Sequence, residues 1–472
     1  MGAIQLLNSH LVYAIVAAAL GSGFQHGYHT GVINVPAEVF RNWENTTHHD
    51  VYKSWLDKPK LDLLWGITTS IMNVGGTIGG VLSGIASNKL GPKNGLLFNN
   101  ILVILASLFM FLSKMVNSIE MMVIGRFLVG INCGFNCGLC PMYLSEISPV
   151  ALRGAVGSIY QLVITISILI SQIVGLDYIL GNEDCWIHLF IIPIVIAVIQ
   201  IVLLFFCVES PKYLVSVKNN TEAAEKAMKW LRKSEDVGEE MGEIKKEDDQ
   251  NKALPAITLK DMFKDRSLKI PLFISIMVML AQQFSGINAV IFYSTQTFQD
   301  DAGLKGYAPQ YGTIGVGVIN VMMTVVSVML VDRAGRKTLL LIGFGGMALD
   351  TLAMSIAFHF TKKEKEILPW FSIVLVNIYI ILFAAGAGSI PWFLVTELFN
   401  QAARPTAVSL AVPTNWIANF IVTLTFPSIQ GLIKSFVFLI FTVLNLLFFF
   451  FIWKMVPETK NKTIEEITSR YK

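Results

Sequence analysis

The chain has 472 residues, of which 54% are hydrophobic and 15% are charged, with a formal net charge of +3. Soluble domains carry about 25% charged residues, so this composition predicts an integral membrane protein. A small net charge without a basic aromatic patch gives no indication of nucleic-acid binding, and five scattered cysteines are too few for a disulfide framework.

Twelve apolar segments are long enough to cross a bilayer as helices. The first contains His26 and His29, with no basic region before it and no small-residue cleavage site after it, and is therefore predicted to be a retained helix. The predicted spans are residues 11–33, 61–85, 95–113, 120–144, 155–178, 186–207, 269–295, 309–331, 338–360, 369–396, 405–429 and 433–455.

Twelve spans place both termini on the same side of the membrane. Basic residues in the short loops weakly favour the opposite orientation, but the long loop after the sixth span adds thirteen basic residues and the tail adds five. With these included, the positive-inside rule predicts cytoplasmic termini. The glycosylation sequence Asn45-Thr46-Thr47 follows the first span, and this orientation places it outside the cell.

Three cysteines in the fourth span, Cys133, Cys137 and Cys140, recur at helical spacing. A metal site is one interpretation of this pattern, although no His or carboxylate joins the three in the sequence. We favour the alternative, in which they are small packing residues on one helix face.

The loop of residues 208–268 is charged and is predicted to be a cytoplasmic linker with short helices. Residues 222–233 have helical spacing, with Ala227, Trp230 and Leu231 on one side, which indicates a surface helix. Residues 235–252 are acidic and polar, and this composition predicts a flexible segment.

The seventh span contains the sequence Gln282-Gln283-Phe284-Ser285-Gly286-Ile287-Asn288. Three carboxamides and a serine in an apolar helix are unfavourable unless they face a bundle interior or a wet cavity, because hydrocarbon offers them no partners. Gly286 weakens the helix at the same place and favours a bend. The stretch therefore predicts a helix that faces a polar, uncharged substrate.

Loop motifs recur in the two halves of the chain about 250 residues apart. Residues 88–93 match 332–337, the pair Glu146 and Arg153 matches Glu397 and Arg404, and residues 209–212 match 457–460. The repeat predicts two six-helix halves, residues 1–207 and 269–455, joined by the linker and followed by a cytoplasmic tail at 456–472. Duplicated halves with a site at their interface are typical of transporters.

Acids and bases lie together at the cytoplasmic ends of the spans in both halves. Exposed pairs of about 0.2–1 kcal/mol each could bias a two-state gate without locking it. The alternative is that these charges only mark topology and helix ends. The candidate cytoplasmic gate residues are Glu146, Arg153, Asp332, Arg336, Glu397 and Arg404.

Together, these motifs resemble the sugar porters of the major facilitator superfamily, and most closely the facilitative glucose transporters of animals. The resemblance covers nearly the whole chain, and several motifs in order make it specific. The segments that carry it are residues 27–34, 125–127, 141–149, 152–155, 209–212, 282–288, 332–337, 390–393 and 457–460.

The resemblance implies a hexose site between the halves. A carboxamide can donate to a hydroxyl or accept from it, and Trp392 offers an apolar face and an N–H donor. Trp416 is expected to form a wall, and Phe292 and Tyr293 resemble extracellular gate aromatics, with ordinary packing as the alternative. The residues that match the family's sugar ligands are Gln161, Gln282, Gln283, Asn288, Asn320, Trp392 and Asn415.

Proton-coupled relatives carry an Asp in the first span, where this chain has Gly27-Tyr28-His29. The resemblance therefore implies facilitated diffusion. Asp350, an acid inside the ninth span, receives no role. Met279-Leu280-Ala281 replaces the Gln-Leu-Ser of glucose-selective members, which weakens the preference for glucose over fructose, whereas Trp392 favours glucose.

Other departures are Ala384 in place of a Glu near the site and Ser389 in place of a Pro. We predict a plasma-membrane uniporter for D-glucose and related hexoses such as fructose or galactose. No catalytic constellation, cofactor site or metal cluster is expected. A proton–sugar symporter and a sugar receptor that does not transport remain the alternatives.

Overall fold

The computed structural model describes residues 7–253, 257–360, 368–400, 402–460, 462 and 466–467. The first half begins with α1 (Ser9–Gly31), α2 (Ala37–Tyr52), α3 (Lys58–Leu90), α4 (Pro92–Met115) and α5 (Ile119–Ile147). It continues with α6 (Arg153–Val174) and α7 (Ile191–Phe205), each preceded by a short 3₁₀ turn, Val150–Leu152 and Trp186–Phe190 respectively. The linker contains α8 (Pro211–Ser216), α9 (Thr221–Arg232), α10 (Gly238–Ala253) and α11 (Leu259–Lys264).

The second half begins with α12 (Arg266–Phe284), α13 (Ile287–Asp300), α14 (Ala308–Ala334) and α15 (Arg336–Phe360). Then α16 (Leu368–Phe383) runs through a π-helical turn, Ala384–Gly388, into α17 (Ile390–Glu397). The half ends with α18 (Arg404–Ile433), a 3₁₀ turn at Lys434–Phe436, and α19 (Val437–Met455).

Nine segments of the described chain are long and apolar enough to cross a membrane, judged by length and composition. One of them, Arg404–Met455, is 52 residues long and contains two of the predicted spans, one in α18 and one in α19. Helices α1 and α3 are not among the nine because polar residues and glycines interrupt their apolar runs. With these counted, the helices correspond to the twelve predicted spans, and the all-α membrane architecture is confirmed.

The predicted bend in the seventh span is present between α12 and α13. Helix α12 ends at Phe284, α13 begins at Ile287, and Gly286 between them has φ +102°. This left-handed conformation suits glycine, and a built Cβ at this position would lie 3.0 Å from the Phe441 ring. The hydroxyl of Tyr379 and the amide of Asn445 donate to the carbonyl of Ser285 at 2.9 and 3.3 Å, so α16 and α19 satisfy the interrupted backbone.

The sequence repeat has a structural counterpart at the start of α4 and of α15. Glu209 accepts from the backbone N–H groups of Lys93 and Asn94 at 2.9 and 3.1 Å. Glu458 accepts from those of Arg336 and Lys337 at the same two distances. Each carboxylate therefore satisfies free N–H groups at a helix N-terminus, where the helix dipole favours negative charge.

Burial raises the pKa of Glu209 above its usual range, while its backbone hydrogen bonds and Lys93 act in the opposite direction. The glycine before each of these helices, Gly91 or Gly335, has φ near +90°, and its lack of a Cβ leaves room for the carboxylate.

The linker packs against the side on which α1 begins and α19 ends, which we call the terminal face. The opposite side, where α1 ends and α2 lies, is the far face. Asn8 donates to the carbonyl of Leu231 at 2.8 Å, and the ring of His10 stacks on Trp230 with centroids 4.6 Å apart. The predicted apolar side of α9 is therefore the side that docks on the first half.

The prediction of a flexible segment at residues 235–252 is wrong, because α10 occupies most of it. Glu247 pairs with Lys212 at 2.6 Å, and Glu240 pairs with Arg232 at 2.7 Å. Met241 and Ile244 are buried at only 6% and 8% exposure. Met241 and Ile244 are too few to give this charged sequence a recognisable helical periodicity. The neighbouring helices α8 and α9 nevertheless provide apolar contacts and ion pairs that stabilise α10.

Candidate functional site

A cavity of about 200 Å³ lies between the two halves. All seven residues predicted to hold a sugar line it, and they come from six helices of both halves. Gln161 lies on α6, Gln282 and Gln283 on α12, Asn288 on α13, Asn320 on α14, Trp392 on α17 and Asn415 on α18. The structure thus brings the seven together around one space, and their contact with a sugar remains a prediction.

Four of the carboxamides form a connected network on the wall of the second half. Gln283 donates to the Asn415 side-chain oxygen at 2.8 Å, and Asn415 donates to the Gln282 side-chain oxygen at 2.8 Å. Asn288 donates to the side-chain oxygen of Gln283. Each amide therefore fixes the orientation of the next, so the wall is organised before any ligand enters.

Gln282 has a structural role that the sequence did not indicate. Its Nε2 donates to the carbonyl oxygens of Ala387 and Gly388 at 2.8 and 2.6 Å, and its side chain is nearly buried. Both amide hydrogens are therefore occupied by the π-helical turn between α16 and α17. Gln282 therefore connects the bend between α12 and α13 in the seventh span to the π-helical turn between α16 and α17 in the tenth span.

Three of the predicted ligands have free polar groups in this structure. Within the described residues, the side chains of Gln161, Asn320 and Trp392 have no hydrogen-bond partner in the protein, although all three line the cavity. Trp392 is 36% exposed, which is high for an indole inside a bundle. These groups are available to hydroxyl groups without first breaking a bond.

Sequence reasoning missed several polar residues of the cavity wall, among them His26, Thr30, Asn73 and Thr165. His26 and Thr30 are spaced i, i+4 on α1 in an otherwise apolar span, a pattern that could have identified them. Trp416 lines the cavity, as expected for a wall, and its ring stacks against His26 with centroids 5.8 Å apart.

The cavity is closed toward the far face by contacts between the halves. Phe292 lines the cavity, whereas Tyr293 is fully buried beyond it. The Tyr293 hydroxyl donates to the carbonyl of Thr423 at 2.7 Å and shares a hydrogen bond with the Thr69 hydroxyl on α3. The two predicted gate aromatics therefore lie where the halves meet, and their gating role remains a prediction.

Asn34, which follows α1, is a second closing residue at the far face. Its amide donates to the carbonyl of Ile291 at 2.7 Å and to the hydroxyl of Ser294 at 2.8 Å, and its oxygen accepts from the backbone of Thr295 at 3.2 Å. One side chain of the first half thus binds three residues of α13. The motif that contains Asn34 was recognised in the sequence, but this contact was not.

At the terminal face, the candidate gate residues contact their own half or the linker. Arg336 pairs with Glu397 at 2.9 Å, and Glu146 accepts from Ser210. Arg153 and Arg404 donate to nearby backbone carbonyls, those of Ser148 and Phe399. The side chain of Asp332 lies outside the described part of the structure. These contacts of Glu146, Arg153, Glu397 and Arg404 do not join one half to the other.

The glycosylation candidate Asn45 lies within α2 on the far face. Its side-chain oxygen accepts from the backbone N–H of Leu56 at 3.0 Å, and the residue is half-buried. The structure does not test glycosylation of Asn45, which stays a prediction.

Residues 14–471 match the family described as "Sugar (and other) transporter". The chain is 42% identical over 468 residues to facilitated glucose transporter protein 1 of Caenorhabditis elegans, covering 98% of this chain and 91% of that protein. It is 41% identical over 471 residues to solute carrier family 2, facilitated glucose transporter member 3 of Rattus norvegicus, covering 100% and 94%.

Among solved structures, the inward open conformation of the xylose transporter XylE from E. coli is similar, with a TM-score of 0.81 and 27% identity over 98% of this chain and 100% of that one. The proton:xylose symporter XylE bound to 6-bromo-6-deoxy-D-glucose has a TM-score of 0.77. These findings confirm the predicted fold and identify the chain as a transporter rather than an enzyme. The chain therefore belongs to the sugar transporter family of the major facilitator superfamily.

Proposed function

We propose that this protein is a facilitative hexose transporter, a glucose uniporter of the plasma membrane that works by alternating access. The observation that carries the proposal is a cavity between two repeated halves that is lined by carboxamide and indole side chains, the seven predicted sugar ligands among them. Uncharged groups that both donate and accept suit hydroxyl groups, whereas an ionic substrate would require a charged partner. The glucose carriers at 41–42% identity support the same substrate class.

The hydrogen bonds that the cavity side chains already make support weak, reversible binding of a sugar. A neutral hydrogen bond contributes about 0.5–1.5 kcal/mol net. Gln161, Asn320 and Trp392 can bind at once, whereas Gln282 must exchange bonds with Ala387 and Gly388. A few net bonds less the ordering cost correspond to about −4 kcal/mol, or millimolar affinity. Weak binding suits a transporter, because the cargo must leave again.

Orientation follows the positive-inside rule, with the terminal face cytoplasmic and α2 outside the cell. The closed far face and the similarity to the inward open structure of XylE then support an inward-facing state. Closing the terminal face would bring the gate charges of the two halves together, as the sequence predicts.

Asn45 on α2 would carry a glycan, and Asn45→Gln should abolish a glycosidase-sensitive change in electrophoretic mobility.

The surroundings of Arg126 favour uniport over proton symport. This buried guanidinium donates to the backbone carbonyl of His29 at 2.7 Å, with longer contacts to the carbonyls of Thr68 and Thr69. No carboxylate of the described residues pairs with it. Both ring nitrogens of His29 are buried and have no hydrogen-bond partner in the part of the chain that the structure describes. A proton on His29 would place a second cation beside a buried one, so this ring is a poor proton carrier.

Transport by purified protein in liposomes tests the proposal. Radiolabelled glucose should equilibrate across the membrane without an imposed pH gradient, and an inward proton gradient should not raise it above the external level. Proton-driven accumulation would overturn uniport in favour of symport. Saturable binding without flux would instead identify a receptor. Competition by fructose and galactose would then define which hexoses the cavity accepts.

A further inference from the structure

Three side chains from three helices of the first half meet beside the cavity: His26 of α1, Cys137 of α5 and Tyr160 of α6. The His26 Nδ1 lies 3.5 Å from the Cys137 Sγ and 3.2 Å from the Tyr160 hydroxyl. The Tyr160 hydroxyl lies 3.9 Å from the Cys137 Sγ. His26 and Cys137 both line the cavity, so the cluster borders the space assigned to substrate.

These separations are close to those between neighbouring ligands of a tetrahedral metal. Bonds of about 2.3 Å to sulfur and about 2.0–2.1 Å to nitrogen, at the tetrahedral angle, place the two donor atoms about 3.5 Å apart. The stacked ring of Trp416 also restrains the His26 plane. The donor atoms of His26 and Cys137 thus require little movement to bind one cation.

The structure also changes the interpretation of the cysteine pattern in the fourth span. The sequence supplied no His beside Cys133, Cys137 and Cys140, and α1 now supplies one to Cys137. Cys133 and Cys140 are fully buried, and the Cys140 thiol donates to the carbonyl of Ala18. A site built from all three cysteines is therefore not formed, whereas Cys137 has a donor partner on another helix.

We propose that His26 and Cys137 form a binding site for a thiophilic divalent cation such as Zn²⁺ or Cd²⁺, and that the bound cation blocks the sugar path. The cation binds the imidazole lone pair and the thiolate, the thiol proton passes to water, and no electrons are transferred. The Tyr160 hydroxyl and a water from the cavity complete the coordination. Soft thiolate and imidazole donors select these ions over Mg²⁺ or Ca²⁺.

The site is reversible and inhibitory rather than structural. The described residues contain no group of three or more His, Cys, Asp and Glu side chains arranged for a metal, and this pair is completed only by a phenol and water. Because His26 and Cys137 line the substrate cavity, a hydrated cation there excludes a sugar. A sugar in the cavity likewise hinders access of the cation.

Binding is measured directly on the purified full-length protein in detergent, through the ultraviolet charge-transfer absorption of the Cd²⁺–thiolate bond during titration with CdCl₂. The wild type should develop this absorption, and MgCl₂ should not produce it. Cys137→Ser should abolish it. His26→Phe should weaken the apparent affinity by more than about tenfold, since even outer-shell changes reduce metal affinity by about 10–100-fold.

The blocking effect is tested by measuring glucose flux into liposomes in the presence of CdCl₂ or ZnCl₂, which should inhibit it. Each variant is compared with its own metal-free flux, and Cys185→Ser, a half-buried cysteine outside the cavity, should retain the wild-type inhibition. Excess glucose should shift the inhibition curve to higher metal concentration.

This proposal rests on the proposed function only for the blocking effect, because the absorption titration reports binding whether or not the protein transports glucose. No absorption in the wild type, or absorption that survives Cys137→Ser, would overturn the site. An unchanged affinity of His26→Phe for Cd²⁺ would show that the imidazole is not a ligand of the site. Binding without inhibition would overturn the blockage alone.

Discussion

Tyr293 of α13 and Thr69 of α3 share a hydrogen bond that joins the second half of the protein to the first at the closed end of the cavity. Both side chains are buried, and Tyr293 also donates to the carbonyl of Thr423 at 2.7 Å. One hydroxyl therefore ties α3 and α18 to the helix that follows the bend. Any motion that opens the far face must break the contact between the halves.

Tyr293→Phe should shift the protein toward a state open at the far face. The change removes the one hydrogen bond of this hydroxyl that joins the halves, the bond to Thr69, and leaves the ring stacked on Phe426. Such a bond is worth about 0.5–1.5 kcal/mol, so the balance should shift by about two- to tenfold. Spin labels at the exposed residues Asn42 and Asp300 would report longer distances in the variant. Tyr52→Phe, which loses only a contact with Glu120 inside the first half, is the control. Unchanged distance distributions would contradict the prediction.

Gln282→Ala and Gln161→Ala should affect transport differently. Gln161 has no partner among the described residues, so its loss should raise KM by about two- to tenfold while the maximal rate is retained. Gln282 also joins α12 to the π-helical turn, so its loss should lower the maximal rate as well. Initial rates of glucose uptake over a range of concentrations separate the two effects. Near-normal uptake by Gln282→Ala would refute the role assigned to this residue.

Glu44 on α2 should make the stability of the protein depend on pH. Burial raises its pKa from 4.5 to about 8, against the opposing effects of the Thr68 hydrogen bond and the Arg41 charge. The neutral form is favoured in the folded state, so this contribution is complete below about pH 4.5 and is lost as the pH rises through about 8. Between these two values the folded state keeps a proton that the unfolded state has lost, so the detergent-solubilised wild type should lose melting temperature from about pH 5 to about pH 8.

Glu44→Gln, which stays neutral and keeps the shape, should show a smaller loss over the same range. Glu38→Gln, an exposed acid one helix turn or more away on α2, serves as the matched control and should follow the wild type. Parallel melting curves for Glu44→Gln and wild type would rule out Glu44 as the titrating group.

Gly335→Ala should destabilise the start of α15. Gly335 has φ +89°, and a built Cβ would lie 2.7 Å from the Glu458 carboxylate that binds the helix N-terminus. Such a conformation in a non-glycine residue costs about 1–3 kcal/mol. Gly91→Ala, with φ +91° and a built Cβ 2.5 Å from Glu209, should behave alike. Gly84→Ala, where nothing lies within 4 Å, should be neutral in the same thermal unfolding assay.

The sequence by itself determined the helices, the repeat and the bend at Gly286. Long apolar runs, matched loop charges and a glycine among amides are local patterns, and hydrocarbon leaves a helix as the stable form for each run. The amides of residues 282–288 followed from local chemistry, because buried amides must face a polar space. The full set of seven candidate sugar ligands came from the resemblance to sugar porters.

Only the tertiary structure decided how these residues are bonded. The contacts of Gln282 with Ala387 and Gly388, of Asn34 with α13, and of His26 with Cys137 join segments about a hundred or more residues apart. The helix α10 is likewise stabilised by the burial of Met241 and Ile244 and by its ion pairs with Lys212 and Arg232. Such contacts depend on how helices from distant parts of the chain pack together, and no periodicity within one segment encodes their partners.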